Sequence, residues 1–426
     1  NKIANLQQNI RWLVSYPSII KNQGKINLDV TKTQNNQSNT NTDINADINT
    51  NTNTNTDMNA NINTDINTNT NTNMSIKTKK EKERVAGLDL VRTIAALFVI
   101  CVHFFLNCGY YYVPMEGMTM FVMTCTRWLF MTCVPLFILL TGYFKINKKL
   151  EITHYKSLIP ILVAYFVISI LKIFASNQLY GTVYSFGDAM RNLFNYQMAW
   201  YVGMYVALML MAPFFNVMWH ALTLKQKKWL IISLVFITNL YPIVRYVAPS
   251  YWQMLYPLTY YFIGAYIREQ QPKIKKWIGG IILLLIVVAE AAGSYIYSKH
   301  VFFKWDFLGG VDNGYNTFTV VICAVILFLC FYDVKIKNRF INRLLEAISG
   351  VSLEIYLFAE IFDAYIYYYA KRYIEEGEAF FKFFIPLVLL SFIGALVASL
   401  IYQKLYQLII GGIKDLIMRK KEKIQK

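Results

Sequence analysis

The strongest constraint on this chain is a succession of apolar stretches, each about as long as a membrane crossing. They fall at 88–108, 118–144, 157–175, 199–220, 229–248, 251–268, 277–298, 315–333, 348–370 and 380–410. A helix needs about 20 mainly apolar residues to cross the hydrocarbon core. Within that core only helices and closed barrels satisfy their own backbone polar groups. Runs of this length are too long for barrel strands. The fold class expected is therefore all-α: a polytopic membrane helical bundle of about ten transmembrane helices.

Basic residues alternate between the connections. Lys145, Lys148, Lys149 and Lys156 follow the second stretch, and Lys225, Lys227 and Lys228 the fourth. Arg268, Lys273, Lys275 and Lys276 follow the sixth; Lys335, Lys337, Arg339 and Arg343 the eighth; Arg419, Lys420, Lys421, Lys423 and Lys426 the last. The intervening connections are richer in Tyr, Trp, Asn and Gly. Basic connections stay on the cytoplasmic side of a bilayer. An even number of crossings then places both termini in the cytoplasm of a multi-pass cell-membrane protein. The net charge of +17 is thus a topological signal, and nucleic acid is excluded as a partner.

The long polar segment before the first span divides the chain. Residues 1–84 are expected to form a disordered cytoplasmic tail. Its Asn/Thr repeats bury too little apolar surface to offset their ordering entropy. It ends in a basic juxtamembrane stretch, Lys77 to Arg84. Residues 85–412 form the membrane domain and 413–426 a basic cytoplasmic C-terminal tail. The chain opens on Asn and is expected to lack its start; the first long apolar run lies far inside it, so no cleavable signal peptide is expected. Cys101, Cys108, Cys125, Cys133, Cys323 and Cys330 all lie in or beside apolar runs without metal-ligand spacing. Core packing is expected of them, with no metal site and no disulfide framework.

The first span carries the most informative polar groups. Arg92 and His103 share one helical face, about three turns and roughly 16 Å apart along the axis. Asp89 lies one turn before Arg92. Ionisable groups inside a span are costly and usually face a bundle interior or a water-filled path. Imidazole titrates near neutral pH, as general-base work on a hydroxyl requires. Arg92 reads either as a side chain snorkelling to the headgroups or as a clamp for a phosphorylated donor. Arg127 lies too deep in the second span to snorkel and needs a partner or a cavity. Glu290, Glu354, Glu360 and Asp363 are the available carboxylates, and each has the simpler reading of a structural ion pair. His154, His220 and His300 fall in connections or at span ends, where solvation is expected. Trp200 and Tyr201 belong to an aromatic cluster near the outer face. That cluster reads as an interfacial belt or as a platform for sugar rings.

Several motifs in order resemble a known family, the integral membrane acyltransferase-3 enzymes, which include bacterial O-acetyltransferases of surface glycans. Leu88-Asp89-Leu90-Val91-Arg92 with His103 is similar to the family's first-span signature. Val134 to Phe144, closing in Thr141-Gly142-Tyr143-Phe144, resembles its second-span end, with Thr141 in place of the usual Ser. Trp200-Tyr201-Val202, Tyr261-Phe262-Ile263-Gly264-Ala265-Tyr266 and Ser352-Leu353-Glu354-Ile355-Tyr356-Leu357 resemble later landmarks. The resemblance covers roughly 85–410. Ala359 and Glu360 stand where relatives commonly have His-Pro, and the Arg-x-x-Arg that some members carry after the second span is missing.

The resemblance implies an acyltransferase with no bound cofactor. It takes an acyl group, usually acetyl, from acetyl-CoA or another acyl-CoA. The acceptor it implies is a hydroxyl of a glycan or related envelope molecule. His103 and Arg92 are then the catalytic pair: Arg92 orients the donor, and His103 activates the acceptor or relays the acyl group. Asp89 fixes Arg92, and Arg127 stabilises developing negative charge. Glu290 and Glu360 are supporting carboxylates, and Trp200 and Tyr201 bind substrate. The lipid bilayer is the remaining partner. A transporter or small-molecule sensor on the same bundle is the alternative, although the absence of an internal repeat weakens it.

Overall fold

The computed structural model describes residues 85–240, 247, 249–298 and 314–425. The expected tail at 1–84 lies outside the described residues, as do His300 and Trp305. Among the described residues every regular element is helical and there is no strand. Residues Arg84–Lys426 form one compact unit.

The helices in chain order are α1 Ala86–Asn107, α2 Gly117–Phe130, α3 Cys133–Lys145, α4 Ile152–Lys156, α5 Ile159–Tyr180, α6 Phe186–Phe194, α7 Trp200–Ala221 and α8 Leu224–Asn239. They continue with α9 Tyr256–Gln270, α10 Lys276–Ser298, α11 Phe318–Phe331, α12 Arg339–Gly350, α13 Ser352–Ala370, α14 Glu378–Phe381 and α15 Phe384–Gln425. Each of the ten expected spans overlaps a helix, and residues 241–246 and 248 of the fifth lie outside the described residues. By length and composition, six segments suffice to cross a membrane: Ala86–Tyr112, Gly117–Lys145, Ile152–Tyr180, Trp200–Ala221, Lys276–Ile296 and Phe384–Gly412. The other four positions hold α8, α9, α11 and α13. The first three of these have 16, 15 and 14 residues, short of the ~30 Å core at about 1.5 Å per residue. The fourth carries Glu354, Glu360 and Asp363.

Four boundaries differ from expectation, and three have a proline as the cause. The expected span 118–144 is two helices with a break at Met131–Thr132. Pro135 has no amide proton, and its ring crowds the carbonyl four residues earlier. Pro386 stands in the same relation to the break at Lys382–Phe383, which separates α14 from α15. In the expected span 251–268, a 3₁₀ turn at Ser250–Leu255 precedes α9, which starts beside Pro257 in its first turn. The fourth difference is at the C-terminus, where the last expected span, 380–410, continues as helix α15 to Gln425.

The bundle is built around α1, which packs against α2, α3, α11, α12, α13 and α15. The closest crossing lies elsewhere, between α3 and α9. A side chain at Gly142 would overlap the Tyr261 carbonyl, and one at Gly264 would overlap the Leu139 carbonyl. Two glycines facing each other's partner backbone let the helices touch main chain to main chain. This contact fixes the position of the α3 face that forms one wall of the cavity described below.

Candidate functional site

α1 places its polar groups on the side facing α3, α12 and α13. Near its start, Arg92 donates from Nη1 to Ser349 Oγ over 2.9 Å, and Ser349 donates to Asp89 Oδ1 over 2.7 Å. Ser349 thus links the two charged groups through the end of α12. The Arg92 guanidinium also lies 5.2 Å from the Phe144 ring centroid, where a cation is attracted by the ring face.

Three turns further along, His103 meets Asp363 of α13. Nδ1 and the carboxylate Oδ2 are 2.7 Å apart. Asp363 is buried, and its other oxygen accepts from Ser391 Oγ of α15 at 2.6 Å. A carboxylate bearing its charge only accepts hydrogen bonds, and such a partner would hold a neutral imidazole with its proton on Nδ1 and its lone pair on Nε2. This is the base-plus-orienting-carboxylate geometry of hydrolase triads.

A cavity of about 360 Å³ joins the two ends. Arg92, Lys145, Ser349 and Glu354 line one end, and His103, Trp200, Tyr201 and Tyr315 contribute elsewhere to the wall. Apolar side chains of α1 and α3, among them Val99, Phe137 and Leu140, line the stretch between. Trp200 and Tyr315 stack with ring centroids 5.8 Å apart. Tyr201 packs edge-on against Tyr356 at 5.7 Å, and Tyr356 lies 6.5 Å from the His103 ring.

The loop carrying Tyr315 is held by buried polar groups. Tyr260 donates to the Tyr315 carbonyl at 2.6 Å, Asn239 donates to the Asn316 carbonyl at 2.9 Å, and Asn316 bonds Gln253. Satisfied buried networks of this kind fix a single arrangement.

The structure thus brings His103, Arg92, Trp200 and Tyr201 to one cavity, with Asp89 behind Arg92. It does not bring Arg127, Glu290 or Glu360 to that lining. Arg127 is buried in α2; its Nε donates to the Tyr111 hydroxyl at 2.7 Å, and its guanidinium lies over the Tyr111 and Trp128 rings. Neither Tyr111 nor Trp128 lines the cavity. Glu290 is buried in α10, which packs on α2. Glu360 pairs with Lys172 of α5, whose ammonium also donates to the Met198 carbonyl at 2.8 Å.

His154 is a correction: it is buried, not solvated, and its Nε2 lies 2.8 Å from the Met209 carbonyl. Pro213, four residues on in α7, has no amide to give that carbonyl, so the imidazole supplies the missing donor. His220 is half-exposed and bonds the Ile146 carbonyl at 3.1 Å. All six cysteines are free, and five are buried.

Asp363 was legible only as one of several carboxylates, because its partner lies 260 positions away. A signal did exist. Ser352, Tyr356, Ala359 and Asp363 recur at helical spacing, and all four are buried. Ser349, Ser391 and Tyr315 carried no such signal.

Residues 85–403 match the acyltransferase-3 family, described as an acyltransferase domain. Neither the curated proteins nor the solved structures gave a match. The matched segment covers most of the chain, and the chain belongs to this family: it is a membrane acyltransferase. Of the two functional classes left open by the sequence, family membership supports the enzyme.

Proposed function

We propose that this enzyme moves an acyl group, acetyl in the first instance, from cytosolic acyl-CoA to a hydroxyl of a cell-surface glycan or related envelope acceptor. The observation that carries this reading is the single cavity with a guanidinium at one end and a carboxylate-oriented imidazole further along it. Arg92, with Lys145 lining the same cavity, binds the donor through its phosphates, so that the thioester extends along the cavity toward His103. His103 Nε2 takes the proton of the acceptor hydroxyl as its oxygen attacks the thioester carbonyl. The tetrahedral intermediate collapses, the C–S bond breaks, and the departing thiolate recovers the proton from the imidazolium. Asp363 keeps the imidazole in the productive tautomer throughout. Trp200 and Tyr315 offer stacked aromatic faces to the acceptor. The Arg92 end faces the cytoplasm of a cell-membrane protein, with both termini on that side.

The test is the ester content of purified envelope glycan from cells carrying His103→Ala. We expect it to fall to the level of a deletion strain, since a positioned base contributes roughly 10²–10⁴-fold. Wild-type ester content would overturn the assignment. Arg92→Lys keeps the charge but loses the planar fork, so the expected result is a raised KM for acyl-CoA with a smaller change in kcat.

A further inference from the structure

The helix α12 has three unlike sides. Leu345, Ile348 and Ser349 are buried, on the side packed against α1. Phe340 is 73% exposed, and Ile341 and Leu344 are exposed as well. At about 100° per residue these three span an arc of about 100° that runs into the buried side, with buried Ile348 at their shared edge. Arg339 and Arg343 lie beyond it, with Lys335 and Lys337 leading in, all of them exposed. Asn338 caps the helix by accepting from the amides of Phe340 and Ile341 at 2.8 and 3.2 Å, so the helix begins within this basic segment.

With 12 residues, α12 is about 18 Å long, too short to cross a bilayer. A short helix with an exposed apolar arc flanked by cations suits the plane between headgroups and acyl chains. The local charge selects the lipid: four cations stand against Asp333 and Glu346, which favours an anionic surface.

We propose that α12 docks on anionic phospholipid of the leaflet at the Arg92 end, and that docking holds the Arg92 end of the cavity in its binding geometry. The link is Ser349, in the last turn of α12, which accepts from Arg92 and donates to Asp89. Ser349 and Gly350 both line the cavity. A tilt of α12 away from the membrane moves the hydroxyl that positions the guanidinium. The coupling rests on the reading of Arg92 as the donor clamp; the docking does not.

The experiment places the full chain in nanodiscs of phosphatidylcholine, with and without phosphatidylglycerol. It reads hydrogen exchange over residues 339–348 and the KM for acetyl-CoA. In the wild type, phosphatidylglycerol should slow exchange in α12 and lower KM severalfold, and added salt should weaken both effects. Arg339→Gln with Arg343→Gln should lose both responses while matching wild-type kcat in phosphatidylcholine. Lys225→Gln with Lys228→Gln, on another basic connection, should keep them.

Exchange that ignores phosphatidylglycerol in the wild type would overturn the docking. So would a response that survives in the arginine variant or disappears equally in the lysine variant. Slowed exchange with an unchanged KM would overturn the coupling. Absence of acetyl-CoA turnover in every bilayer would count against the functional reading, while exchange still decides the docking.

Discussion

In the proposed mechanism His103 is a base with its lone pair aimed at the substrate, and the residue placed to set that orientation is Asp363, from a helix 260 positions away in sequence. Replacing Asp363 with Asn preserves shape but lets the amide donate, which favours the wrong tautomer. We expect Asp363→Asn to lower kcat by roughly 10²–10⁴-fold, the range of a general base and its orienting partner. The KM for acyl-CoA should change little, because the donor clamp is at the other end. Thiol release from acyl-CoA in detergent or nanodiscs measures both constants; turnover equal to wild type would remove Asp363 from the mechanism. Ser349→Ala is the complementary case. It leaves the imidazole untouched but removes the hydroxyl between Arg92 and Asp89, so KM should rise while kcat is largely kept. Arg92 and His103 were legible because a helix converts spacing into a shared face. Asp363 was legible only as a carboxylate on one helical face, and Ser349 and Ser391 not at all, because long-range packing alone decides which of several carboxylates or hydroxyls meets them.

Helices in this bundle are shaped by where a backbone donor or a side chain is missing. Pro135 and Pro386 break expected single spans, as the loss of an amide and the clash with a preceding turn require. Pro213 instead leaves α7 intact, because His154 fills the gap by reaching the Met209 carbonyl over 2.8 Å. That compensation is testable by a double-mutant cycle. His154→Ala strands a buried carbonyl and should cost about 1–3 kcal/mol. In a Pro213→Ala background the restored amide can serve Met209, so the same His154 change should cost less. Thermal unfolding in detergent gives both differences, and equal costs in the two backgrounds would show that the carbonyl is not what His154 serves. Gly142 and Gly264 are the opposite case, where missing side chains allow contact. Gly264→Leu should prevent the α3–α9 crossing and abolish monodisperse protein, since the clash is with backbone that cannot move aside. Both glycines lie in motifs visible in the sequence. That they face each other across one crossing was not visible, because sequence spacing says nothing about which helices are neighbours.

The ends of the helices sort into two layers, and the sorting follows charge. At one layer Arg92 meets the end of α12, Asn216 of α7 donates to the Lys145 and Lys148 carbonyls at 2.8 Å, and Lys227 pairs with Glu269 at 2.8 Å. These contacts gather the start of α1, the ends of α3, α7 and α9, and the start of α8, the elements that border the basic connections. At the other layer the Gly377 amide bonds the Cys108 carbonyl at 2.6 Å, and Asn239 bonds the Asn316 carbonyl. That gathers the end of α1, the segment before α15, the end of α8 and the start of α11. The charge alternation read from the sequence therefore matches the direction in which each of these helices runs, although α8, α9 and α11 are short for a full crossing. If the basic layer is cytoplasmic, impermeant maleimide applied to intact cells should label Val183→Cys and Tyr373→Cys, each 87% exposed. It should label Ile152→Cys, at 67% exposure, only after the membrane is opened. The native thiols should give little background, since five are buried and Cys125 is half-buried within α2. Labelling in the reverse order would invert the molecule. The Arg92 end of the cavity would then open away from the cytosolic donor, and acyl-CoA could not be the substrate at that end.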